Sequence, residues 1–179
     1  MKTYLEIKIP IKYDDPWFEK LRTLLADIPV RWQRDFYHIT LVFINDTPKD
    51  IDLCPLLKKH LDTALAPELT LDQLGVFATG PGKYIIHLTT GEVPERFLAL
   101  IESIRADMKA AGCVILSDFM LHVTLGRLRD FNIRLPQLRR MTKSFSMPPL
   151  PMVLTDLDYR VFRGKTIFET QLIRKEKPL

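Results

Sequence analysis

The sequence predicts an α+β protein with helices packed outside antiparallel sheet. Three observations carry that expectation. Short segments that alternate apolar and polar residues recur along the chain, which is the signature of strands. Between them lie stretches whose apolar residues return at helical spacing, such as Phe97, Ile101, Ile104 and Met108. The resulting order, β-α-β-α-β-β-α-β followed by two more strands, keeps many strands adjacent in the chain, which suits hairpins better than a regular βαβ alternation.

The elements follow in order. Tyr4 to Ile11 alternates and reads as a strand. Asp15-Pro16 starts a helix, with Asp as N-cap and Pro at the first helical position, and Trp17, Leu21, Leu24 and Leu25 form its buried stripe. Pro29 closes it. Phe36 to Ile44 is a strand, and Asn45-Asp46-Thr47-Pro48 a turn. A second helix is expected from Cys54-Pro55 to Ala66, with Leu53, Leu57 and Leu61 inward and His60 on its solvent side among lysines. Leu69 to Phe77 reads as one strand and Lys83 to Thr89 as the next, joined by the loop Ala78-Thr79-Gly80-Pro81-Gly82. That loop is a hairpin turn and not a phosphate loop, because it lacks the GxxxxGK[ST] spacing and leads into a strand. Pro94 to Ala111 is the clearest helix, stopped by Gly112. Leu121 to Arg127 is a strand. A basic, irregular stretch follows, with Arg129, Arg134, Arg139, Arg140 and Lys143, and the PPLP run at 148–151 reads as a linker. Val153 to Phe162 and Thr166 to Arg174 complete the chain as a hairpin turning at Arg163-Gly164-Lys165.

Composition bounds the function. The 179 residues are expected to form one domain, 1–179, large enough for a real core. Apolar residues make up 46% and charged ones 27%, which excludes a disordered or low-complexity chain. No long apolar run predicts a membrane span, and the alternating N-terminus does not read as a signal peptide. Two cysteines, Cys54 and Cys113, suggest a reducing compartment without a disulfide framework, hence the cytoplasm. A net charge of +4 favours an anionic partner without establishing nucleic-acid binding.

One pattern carries chemistry, and it occurs twice: His38-Ile39-Thr40-Leu41 in FYHITLVF, and His122-Val123-Thr124-Leu125 in MLHVTLGR. Residues two apart on a strand share a face, so each copy sets an imidazole beside a hydroxyl. Of the four histidines, two fall in this context. The copies are 122 − 38 = 84 residues apart, each strand preceded by an amphipathic helix, which suggests a duplication that lends one His-x-Thr strand from each half to a shared groove. Two imidazoles and two hydroxyls facing one space supply acid, base and anion-binding groups. His87 shares a face with Ile85 and Thr89. It reads as a satisfied core histidine, or as a substrate contact if that face lines the groove. Phe36, Tyr37 and Phe43 lie near the first copy as core residues or as platforms for a base.

The paired motifs resemble those of the 2H phosphoesterases, and within them the 2′-5′ RNA ligase-like proteins regarded as RNA 2′,3′-cyclic phosphodiesterases. Arg127, five residues after the second histidine, matches the family's phosphate-binding arginine. The run RWQRDFYHITL lacks the Pro-Glu-Asn-Leu often found before the first histidine. The resemblance implies two pseudo-symmetric α/β lobes around a central groove, in a single bilobal domain. It implies catalysis by His38 and His122, with Thr40, Thr124 and Arg127 on the substrate phosphate, no metal and no cofactor. By analogy His122 would be the base toward water and His38 the acid toward the 3′ oxygen; the sequence itself does not orient them. The expected substrates are RNA 2′,3′-cyclic phosphate ends or small cyclic nucleotides, opened to 2′-phosphates by a cytoplasmic monomer, with 2′-5′ RNA ligation as the reverse. The alternatives are a related phosphodiesterase for a 2′-5′ oligonucleotide or a cyclic ADP-ribose phosphate, and an RNA-end binding module without turnover. A metal site is the weakest reading, since no ligand spacing such as C-x₂-C or H-x₃-H occurs. Strict alternation would put Arg127 on the wrong face of its strand, so its role requires a bulge or an early strand end near Gly126.

Overall fold

The structure, a computed structural model, describes residues 1–175. It is α+β with a mostly antiparallel sheet, as the sequence predicts, and among the described residues it has four helices where the sequence reading gives three. The strands are β1 (Thr3–Lys8), β2 (Val30–Trp32), β3 (His38–Ile44), β4 (Glu68–Leu71), β5 (Gln73–Gly80), β6 (Lys83–Thr89), β7 (Val123–Arg129), β8 (Leu150–Val153), β9 (Asp156–Val161) and β10 (Thr166–Gln171). The helices are α1 (Pro16–Leu24), α2 (Cys54–Leu61), α3 (Glu95–Ala110) and α4 (Leu135–Lys143).

Eight strands form one sheet in the order β10-β9-β1-β3-β7-β6-β5, with β2 added beside the far end of β7. Its halves meet where β3 and β7 run antiparallel at a single registered pair, Ile39 and Val123. Both residues are fully buried. Leu5, Ile7, Ile39, Leu41, Ile86, Val123 and Leu125 face a core closed by Phe97, Ile101, Ile104 and Met108 of α3 and by Leu57 and Leu61 of α2. α1 seats Phe18 edge-on against Trp32 and Tyr37, with ring centroids 5.5 and 6.0 Å away.

Several elements differ from the sequence reading. The run Leu69–Phe77 is two strands broken at Asp72, and the first of them leaves the main sheet. The PPLP run is not a linker: it leads into β8, which pairs antiparallel with β4 in a separate two-stranded sheet. Such a sheet has only edge strands, and edges accept proline. The basic stretch after Arg129 is not irregular throughout, because α4 occupies 135–143, starting on Leu135-Pro136 and burying Leu138. Helix α2 stops at Leu61, short of Ala66. The Asp15 side chain accepts from the Lys12 N–H at 2.9 Å instead of capping the first turn of α1. His60 is not on the solvent side: only 12% of its side chain is exposed, and its Nε2 lies 2.9 Å from Asp107 Oδ2 of α3, tying the two helices together.

Candidate active site

Both motif strands depart from regular pairing at the same point. In β3, Thr40 is registered with Glu6 of β1 and Val42 with Leu5, so Leu41 is an extra residue. In β7, Thr124 is registered with His87 of β6 and Gly126 with Ile86, so Leu125 is the extra residue. Two residues on one strand against one on its partner make a bulge, which inverts the alternation beyond it. Arg127 pairs with Ile85, two residues from His87 on β6, and therefore lies on the same face as Thr124. The bulge that the Arg127 assignment requires is present, centred on Leu125. The corresponding position in the first half, paired with Tyr4, is Phe43.

The antiparallel register through Ile39 and Val123 sets Thr40 beside His122 and His38 beside Thr124 on the polar face. His38 and His122 are then diagonal neighbours, with Cα atoms roughly 7–8 Å apart by sheet geometry. That is about the span needed for one group on each side of a phosphorus centre. The recesses on this face mix the two motifs. One, of about 420 Å³, brings His38 together with Gly126 and Arg127 and with Arg31, Arg34 and Arg160. The other, of about 280 Å³, joins Thr40 to His122, Phe77 and Ile85. A third of about 620 Å³ continues from His38 along Lys8, Lys12, Tyr13, Arg34 and Phe36.

Each imidazole is held in the same way. Nδ1 of His38 lies 3.0 Å from the Phe36 carbonyl, and Nδ1 of His122 lies 3.0 Å from the Met120 carbonyl. A carbonyl only accepts, so Nδ1 carries the proton in both rings and Nε2 is the nitrogen left for another partner. Phe36 has a left-handed backbone, φ +55, and its carbonyl also accepts from Gln33 Nε2 at 2.7 Å. An aromatic residue rarely takes that conformation, and here it aims the carbonyl at His38. On the other side, Thr89 Oγ1 donates to the Leu121 carbonyl at 2.8 Å, and the buried Arg105 of α3 donates to the Ser117 carbonyl at 2.8 Å, fixing the segment that delivers His122.

The surroundings of the two histidines differ. Burial holds His122 below the ordinary imidazole range, and the positive charges of His38 and Arg127 add to the effect. Its ring meets Phe77 edge-on at 5.3 Å and His87 at 5.8 Å. His87 is itself buried and pushed down to about 4, chiefly by desolvation, so it is neutral at pH 7. His87 is thus both core histidine and neighbour of the groove. His38 instead lies 3.3 Å, through Nε2, from the buried carboxylate of Glu6. Among the described residues, no group of three or more His, Cys, Asp or Glu side chains is arranged to hold a metal ion.

The sequence reading missed Glu6, Arg160 and Arg31. Alternation in β1 does put Glu6 with Tyr4 and Lys8 on the polar face, but no pattern marks it as buried.

No family model matches the chain, and no curated protein matches it in sequence. Solved structures do match, over nearly all of it. The Kluyveromyces marxianus Usb1 structure is 11% identical, with a TM-score of 0.68, over 96% of this chain and 98% of that one. Escherichia coli LigT in its complex with NADP+ is 19% identical, with a TM-score of 0.57, over 96% and 95%. The fold is that of LigT and Usb1. Thermus thermophilus TT0787 shares it too, at 17% identity and a TM-score of 0.56 over 96% of this chain and 98% of its own. LigT has also been crystallised with 3′-AMP and with phosphate. Superposition along almost the whole of LigT and Usb1 means that the candidate groove is built within this fold and not on an appended segment.

Proposed function

We propose that the protein is a 2H phosphoesterase: a metal-independent phosphodiesterase that hydrolyses 2′,3′-cyclic phosphate RNA ends to 2′-phosphates. The observation that carries this reading is the bulge at Leu125, which turns Arg127 onto the face holding His38, Thr40, His122 and Thr124. Without it the arginine would point away from the phosphate. The likeness to LigT, which binds 3′-AMP, supports a nucleotide-sized substrate.

The chemistry follows from the two imidazoles. Neutral His122 takes a proton from water through Nε2 as the oxygen attacks phosphorus. The bond from phosphorus to the 3′ oxygen breaks, and His38 gives its Nε2 proton to that oxygen, leaving a 2′-phosphate. Exchange with solvent then returns the proton from His122 to bulk and restores one to His38. Thr40 and Thr124 donate to the non-bridging oxygens, and Arg127 offsets the charge that grows on them. With the 5′-hydroxyl of a second RNA in place of water, the same groups would form a 2′-5′ linkage: His122 takes the hydroxyl proton, the bond from phosphorus to the 3′ oxygen breaks, and His38 protonates that oxygen. The chain acts in this scheme as one bilobal unit, a cytoplasmic monomer that needs neither metal nor cofactor.

Incubation with a 2′,3′-cyclic nucleotide, followed by identifying which hydroxyl keeps the phosphate, tests the proposal. His38→Ala and His122→Ala are each expected to lower kcat by about 10²-fold or more, with activity in EDTA undiminished. The double variant should fall little further, because the pair acts as a unit. Near-native turnover in either single variant would refute the scheme.

A further inference from the structure

The two halves of the sheet are matched at the motif but not at the residue paired with the motif threonine. That position holds Glu6 in the first half and His87 in the second. One strand further out, Glu6 is registered with Asp158 and His87 with Gly75. We propose that Glu6 makes the two histidines unequal: its buried carboxylate is the counter-charge that keeps a proton on His38, while His122, faced by His87 instead, is left to accept one. This rests on the phosphodiesterase reading and deepens it by assigning acid and base from geometry.

The Glu6 side chain is 4% exposed. A carboxylate buried to that degree needs cationic partners. Arg160 supplies one, at 3.4 Å from Oε1. Oε2 is buried and accepts no hydrogen bond, and the group nearest to it with a charge to offer is His38, at 3.3 Å. The contact is therefore one of charge. It stabilises an imidazolium without consuming the Nε2 proton, which stays available to a leaving oxygen. The remaining charged groups around His38 do not replace Glu6. Lys8, registered opposite His38, is drawn to Asp158 at 3.2 Å and Glu169 at 3.6 Å. Arg34, Asp35 and Arg127 line the recess walls, and Tyr4 stands 6.3 Å away, ring to ring. His122 is the diagonal neighbour. Among the described residues no carboxylate pairs with His122: Asp118, on the wall of its recess, is fully exposed and faces Arg105 at 3.7 Å. The matching residue is uncharged, and Gly75 leaves the space its ring fills. Glu6 acts through His38 and touches no reacting atom, so it is a positioning residue.

The test is an NMR titration of the histidine ring protons in the full chain, native and as Glu6→Gln and Arg160→Gln. Removing the carboxylate is expected to lower the pH midpoint of the His38 ring by about one unit. Arg160→Gln frees the carboxylate and is expected to raise it. His122 should move by only a few tenths in either. A His38 midpoint that is the same in all three chains overturns the proposal; if Glu6→Gln does not fold, Arg160→Gln decides alone. Kinetics supply a second reading. Glu6→Gln should slow hydrolysis of a 2′,3′-cyclic nucleotide about 10-fold, the factor that a one-unit change in the midpoint corresponds to. It should slow thymidine 5′-(p-nitrophenyl phosphate), whose leaving group departs without a proton, less than about two-fold by the same reasoning. Equal losses on both substrates overturn the proposal. A native chain that hydrolyses neither overturns the phosphodiesterase reading instead, and the titration still judges Glu6.

Discussion

His87 should make the fold acid-sensitive by an amount that can be worked out. It is buried at 8% exposure, its Nδ1 lies 3.3 Å from the Leu88 carbonyl, and it has no acid beside it. Burial sets its folded pKa at about 4, against an unfolded value of about 6.5. The folded value is the lower one, so between the two the unfolded chain binds more protons and stability rises with pH. The contribution is fully present above pH ~6.5 and is lost as pH falls toward 4. Integrating from pH 7 down to about pH 4.5 gives a loss of about 2.5 kcal/mol from this one side chain, on the order of a sixth to a half of a typical domain's stability.

The assay is urea unfolding of the native chain and His87→Gln at pH 7 and pH 4.5. Glutamine retains a polar side chain but does not titrate. Every other titrating group, including His122, is common to both chains, so the difference between the two pH-dependent losses isolates His87. The native chain should lose about 2.5 kcal/mol more than the variant over this interval. Parallel losses, within about 0.5 kcal/mol, would show that His87 is protonated in the fold or already open to water, and the account of the second half's interior would fail.

Three further outcomes follow from the same geometry. In Gly75→Ala the new Cβ would lie 2.4 Å from both Cε1 and Nε2 of His87, forcing the ring toward Phe77 and His122; a loss of about 1–3 kcal/mol in thermal unfolding is expected, with kcat falling more than KM rises. Phe36→Gly keeps the left-handed backbone and the carbonyl that holds His38, so kcat should stay near native, whereas Phe36→Val, β-branched at φ +55, should lower it several-fold. The acid limb of kcat/KM should fall below the ordinary imidazole value of about 6.5, because burial, His38 and Arg127 all disfavour a proton on His122; Arg127→Gln should move that limb upward.

What could be read from the sequence was whatever repeats with a period. Strand β6 was legible to the residue because Lys83–Thr89 is bounded by Gly82 on one side and Gly91 shortly beyond the other, and α3 because four apolar residues mark one face over four turns. The paired motifs needed only spacing. Three things were not legible in this way. β2 is three residues long, too short to alternate visibly. The break between β4 and β5 hides because Leu69, Leu71 and Leu74 continue an apolar series across Asp72. Helix α4 does carry a stripe, Leu135, Leu138, Met141 and Thr142, but at nine residues crowded with arginines and opened by Pro136 it is short enough to read as irregular. The bulges were half legible. Leu125-Gly126 invites a kink, but Leu41-Val42 sits in a run so apolar that no face can be assigned from it.

The bulges also explain how a near-symmetric sheet could support a reaction that needs unlike partners. Both halves reproduce the same backbone: a histidine pinned through Nδ1 to the carbonyl two residues before it, a threonine, then an extra leucine. That shared frame fixes where Nε2 lies in each half but is silent on its charge. The difference comes from the first side chains beyond it. The first half places Glu6 and Phe43 at the two positions where the second places His87 and Arg127. A phosphate entering between them would meet its cation in the second half and a counter-charged imidazole in the first, so it would settle with its anionic oxygens toward Arg127 and its ester oxygen toward His38. Exchanging those two pairs of residues, and leaving both motifs intact, should therefore reverse which end of the groove takes the leaving group.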